Sequence, residues 1–119
     1  MTAADLPAEP RYEVAHVSCT ESQLERGVKY IVAQQAGALY LLFAADHGLH
    51  MSIAMSMETQ GKLPTGAKII GGGMIAIGYR QTLEMYGDSM KYGCEPKDVR
   101  AAFRPLVVAK LKEMGIETV

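Results

Sequence analysis

Val28-Lys29-Tyr30-Ile31-Val32-Ala33-Gln34-Gln35-Ala36-Gly37-Ala38-Leu39-Tyr40-Leu41-Leu42-Phe43-Ala44-Ala45 holds two apolar runs separated by Ala36-Gly37. Val28–Gln35 is rich in β-branched residues and is short, so it reads as a strand. Ala36-Gly37 makes a turn, and Leu39–Ala45 is a third, strongly apolar strand. Upstream, Tyr12–Val17 alternates apolar and polar residues and gives a first, half-buried strand. Between them, Thr20–Gly27 is polar and ends in glycine, which suits a loop or a short helical turn.

Asp46-His47-Gly48 breaks the third strand. From Leu49 to Gln60 the apolar residues Leu49, Ile53 and Met57 recur every four positions, the spacing of one helix face. Asp46 can cap that helix and Gly61 fits just past its end. Pro64-Thr65-Gly66 is a loop. Ala67–Ile70 and Met74–Ile77 are two strands joined through Gly71-Gly72-Gly73, or one long bent strand, and Leu83–Tyr86 is another. Val99, Phe103, Leu106, Val107 and Leu111 then fall at helical spacing after Pro96, with Pro105 predicting a kink or two short helices. Ile116–Val119 is expected as a final edge strand. The order predicts an α+β fold: one compact domain over 12–119, a mixed β-sheet with helices packed against it, and a flexible tail over 1–11.

Composition narrows the function. The chain has 119 residues, 21% of them charged and 49% apolar, which supports one folded domain. Its net charge of −1 and lack of a basic block argue against nucleic acid. No apolar run is long enough for a membrane span, and the acidic start lacks the regions of a signal peptide. Two distant cysteines, Cys19 and Cys94, make neither a disulfide framework nor a zinc motif, so a cytoplasmic setting is expected.

Several residues could handle a phosphoryl group. Glycines and a Ser-Met-Lys turn at strand ends can offer backbone N–H groups to an anion. His47, at the start of a helix, can act as nucleophile or general base near neutral pH. Lys29 and Lys91 can supply positive charge, and Ser89 a hydroxyl. Gly71-Gly72-Gly73-Met74-Ile75-Ala76 formally fits a dinucleotide pattern, but strand-like alternation continues where a helix should begin. His47 and His50 beside methionines would suit copper or zinc, yet no third strong ligand is near in sequence.

Gly71-Gly72-Gly73 followed by Tyr86-Gly87-Asp88-Ser89-Met90-Lys91-Tyr92-Gly93 resembles the protein phosphohistidine phosphatase family, Janus/Ocnus. Gly27–Val32 is similar to the family's early strand, whose substrate-binding lysine Lys29 matches, and Ala44–His47 to the strand end bearing its essential histidine. The resemblance covers about residues 27–118. It implies a metal-independent, cofactor-free hydrolase of phosphohistidine in proteins. His47 would be catalytic, and Lys29, Gly48, Ser89, Met90 and Lys91 would hold the phosphoryl group. It implies phosphohistidine proteins, with phosphate or sulfate, as partners; a monomer is the default expectation. Many relatives carry a basic residue where this chain has Met74, and relatives often carry an aromatic one where it has Asp46. An alternative is a non-catalytic phosphate- or phosphoprotein-binding domain on the same fold.

Overall fold

A computed structural model describes residues 10–45, 50–87 and 93–119. Its centre is the hairpin of β2 (Val28–Gln35) and β3 (Ala38–Ala44). Ala36 and Gly37 turn the chain with φ of 51° and 78°, the two positive values a type I′ turn requires. Around the hairpin lie β1 (Arg11–Ser18), β4 (Lys68–Ile77) and β5 (Leu83–Gly87), in the order β1-β3-β2-β4-β5. β1 runs parallel to β3; every other pairing is antiparallel. The sheet is therefore mixed, and three helices pack on it: α1 (Glu21–Arg26), α2 (His50–Thr59) and α3 (Lys97–Glu113). This is a single α+β domain.

The two sheet faces bury separate cores, because successive strand residues point to opposite sides. On one face, Tyr30, Val32, Leu41, Phe43, Ile75 and Leu83 meet Leu24 of α1 and Val99, Phe103, Val107 and Leu111 of α3. On the other, Ile31, Ala33 and Leu42 meet Ile53, Ala54 and Met57 of α2. Each fully buried large apolar side chain contributes roughly 1.5–3 kcal/mol. Tyr12 of β1 adds an edge-to-face contact with Phe103, their ring centres 5.2 Å apart.

Local chemistry sets the element ends. Thr20 and Gln23 form a reciprocal capping box at α1, Thr20 Oγ1 accepting from the Gln23 N–H at 3.2 Å and Gln23 Oε1 from the Thr20 N–H at 2.8 Å. Gly115, with φ of 84°, closes α3; its N–H reaches the Lys112 carbonyl at 3.0 Å, and the Ile116 N–H reaches that of Leu111 at 2.9 Å. α2 begins and ends within a residue of its expected bounds, and Gly61 follows it with φ of 72°. The capping role expected of Asp46 lies outside the described residues.

One expectation changes and two are narrowed. Pro105 does not divide α3, which runs unbroken from Lys97 to Glu113. Its buried stripe of Val99, Phe103, Val107 and Leu111 anchors both halves, while Pro105 and Ala101 are exposed, so water can satisfy the carbonyl that the missing N–H leaves. Residues 116–119 form no ladder strand; they are tied by single bonds, Val119 N–H to the Gln81 carbonyl and Leu83 N–H to the Val119 carbonyl, each 2.8 Å. The triple glycine is the interior of one continuous β4, with a bulge at Ile70 just before it.

Candidate functional site

Lys29 opens the site. It shares the parity of Ile31 on β2, so it lies on the face that α2 covers, half-buried. Its direct partner on β4 is Met74, and Met74 pairs in turn with Tyr86 on β5. Lys29, Met74 and Tyr86 thus form one cross-strand row. Met74 folds over Gly27: the φ of 99° favours glycine there, and a Cβ would sit 2.4 Å from the Met74 sulfur, so that flexible side chain would have to shift. Tyr86 is half-exposed and donates its hydroxyl to Glu84 Oε2 at 2.6 Å, a bond that raises its pKa.

The strand ends next to the undescribed stretches can be set against Lys29. Tyr30 pairs with Phe43, so Ala44, the last residue of β3, stands level with Lys29. β5 ends at Gly87, level with Tyr30. Lys29 is one strand from β3 and two from β5, about 5 and 10 Å at ordinary strand spacing. The chain enters residues 46–49 and 88–92 from these neighbouring rows. His47, Gly48, Ser89, Met90 and Lys91 themselves lie outside the described residues, as does the side chain of His50.

On the opposite face the glycines serve packing. Tyr30, Gly73 and Gly87 form the next row, and Gly71 faces the same way. A Cβ at Gly71 would meet the Glu95 backbone nitrogen at 2.3 Å, and one at Gly87 would meet Arg100 Nη2 at 2.1 Å. The absent side chains leave a trough that Glu95 and Arg100 fill. Tyr30 donates its hydroxyl to Glu95 Oε1, and Arg100 Nε donates to the same oxygen at 2.9 Å. The Glu95 side chain is fully buried and that of Arg100 is 22% exposed. Burial, then the bond to Glu95, pushes the Tyr30 hydroxyl well above the ordinary tyrosine range, and the Glu95 bond raises the Arg100 pKa. Cys94 Sγ reaches the Gly87 carbonyl at 2.9 Å.

Tyr30, Glu95 and Arg100 escaped the motif reading. One signal for them existed. Once Tyr30 is placed opposite Gly73, the small residues Gly71 and Gly73 on its face leave room for large neighbours. No protein-family model and no curated protein matches the chain.

Proposed function

We propose that this protein hydrolyses the phosphoryl group of phosphohistidine in proteins, without a metal. The observation supporting this is the Lys29–Met74–Tyr86 row: it sets a half-buried lysine level with the strand end that leads to His47 three residues on. Lys29, the Gly48 N–H and the Ser89-Met90-Lys91 turn would hold the phosphoryl oxygens and stabilise their charge, which is most of what phosphoryl transfer asks of a protein. His47 would attack phosphorus, with water then hydrolysing phospho-His47 to free the enzyme and phosphate, or would take a proton from a water that attacks directly. In either case the P–N bond breaks and the leaving imidazole nitrogen takes up a proton. The setting we infer is a reducing cytoplasm, consistent with Cys19 and Cys94 as free thiols, and the unit a monomer. Among the described residues no helix is long and apolar enough to cross a membrane.

One observation favours a second reading, a non-catalytic phosphate- or phosphoprotein-binding domain. Met74 puts a thioether directly opposite Lys29, where many relatives in the resembled family carry a basic residue. Phosphate release from a phosphohistidine peptide in excess EDTA separates the two. Turnover by wild type and His50→Ala, with loss in His47→Ala and Lys29→Ala, supports the phosphatase. No release above the spontaneous rate, with phosphate still bound, supports the binding domain.

A further inference from the structure

The mechanism above makes no use of the buried cluster of Tyr30, Glu95 and Arg100. We propose that these three are positioning residues for the phosphoryl-holding groups, an inference that rests on reading Lys29 as one of those groups. They tie β2, which bears Lys29, to Gly87 at the end of β5 and to the first turn of α3.

Three observations carry this. First, one oxygen, Glu95 Oε1, accepts from both Tyr30 on β2 and Arg100 in the first turn of α3, while Arg100 lies against Gly87 at the end of β5. A single carboxylate thereby ties together the strand bearing Lys29, the helix start and the strand that leads toward Ser89. Second, the Cys94 thiol donates to the Gly87 carbonyl, so the end of β5 is also held to the residue next to Glu95. Third, the cluster is an inefficient source of stability. Glu95 Oε2 is buried with no hydrogen-bond partner among the described residues, and an unmet buried acceptor opposes folding. Apolar residues of equal volume would stabilise the core as well or better. What charged and hydroxyl groups add over apolar ones is direction. Tyr30 and Lys29 are consecutive on β2, so fixing the Tyr30 hydroxyl fixes the register and rotation from which Lys29 projects on the other face.

The test compares wild type with Tyr30→Phe, Glu95→Gln and the benchmark Lys29→Ala in the full-length chain. Binding of inorganic phosphate is read by NMR titration, KM and kcat on a phosphohistidine peptide, and melting temperature for each. Positioning predicts that folded Tyr30→Phe and Glu95→Gln weaken phosphate binding and raise KM by roughly tenfold, with kcat changed much less. A lowered melting temperature with wild-type phosphate affinity and KM in both overturns the proposal and leaves a purely structural cluster. Tyr30→Phe deletes one oxygen and keeps the ring, so it decides the matter if Glu95→Gln does not fold. Wild type that binds phosphate without turnover removes the phosphatase reading, and the proposal is then judged on phosphate affinity. Wild type that neither binds nor hydrolyses overturns both.

Discussion

Lys29 and Met74 are direct cross-strand partners on the sheet face that α2 covers. A cation and a thioether side by side would offer a bound anion one charge where two could stand. Met74→Lys should tighten phosphate binding several-fold, since a long aliphatic stem can still lie over Gly27. Without phosphate, the new like-charge pair should cost about 0.5 kcal/mol, a loss that phosphate reverses. Melting curves in phosphate and in chloride at equal ionic strength measure both effects.

Gly71 has backbone stacked on it: a Cβ would meet the Glu95 nitrogen at 2.3 Å and its Cα at 2.8 Å. Backbone cannot rotate away as a side-chain end can. Gly71→Ala should therefore destabilise the domain by about 3 kcal/mol or unfold it. A wild-type urea midpoint would show that Glu95 does not sit against β4.

Ala36 holds a φ of 51°, which costs an alanine roughly 1 kcal/mol. Ala36→Asn creates the Asn-Gly pair that the turn prefers and should stabilise the hairpin by about that amount. Equilibrium unfolding checks it, and an unchanged or lower midpoint would contradict the turn geometry.

Tyr30 ties the cluster to pH. Its folded pKa is raised, first by burial and then by Glu95, so the folded state keeps its proton more tightly than the unfolded chain. The associated stability is complete below the ordinary tyrosine pKa of about 10 and is lost as pH climbs above it. Tyr30→Phe should flatten the fall in stability above that point, by up to about 1.4 kcal/mol per pH unit. Urea titrations at a series of alkaline pH values would show it; parallel curves for the two proteins would refute it.

The cysteines should differ in reactivity. Cys94 is exposed, whereas burial pushes the Cys19 thiol up to about 11. Alkylation near pH 8 should add one group, at Cys94, and mass spectrometry of the digest locates it. Rapid labelling of Cys19 would contradict its placement.

Much of the fold was legible because local signals agreed with tertiary packing. Val28–Gln35 carries β-branched residues that both faces bury, and its bounds as a strand match the structure. Gly61 and Gly115 mark helix ends through their positive φ. Pro105 does not split its helix, because propensity is local while the contacts of Phe103 and Val107 with the sheet are not. The parallel pairing of β1 with β3 leaves no local trace, since strand periodicity is blind to direction. On the site, Lys29 could be placed by parity once β2 was recognised. Glu95 could not: its partner Tyr30 is 65 positions away, and nothing in the sequence joins the two.

The seat of Glu95 over Gly71 separates two things that a glycine run can advertise. That glycine answers to the chain folded against its own strand, and it would be needed whether or not any phosphoryl group were ever bound. A descendant of this sequence could shed Lys29 and His47 one substitution at a time and still be compelled to retain Gly71. Inheritance of the glycines would then trace ancestry of the architecture, and only the cations and the histidine would trace the trade it practises.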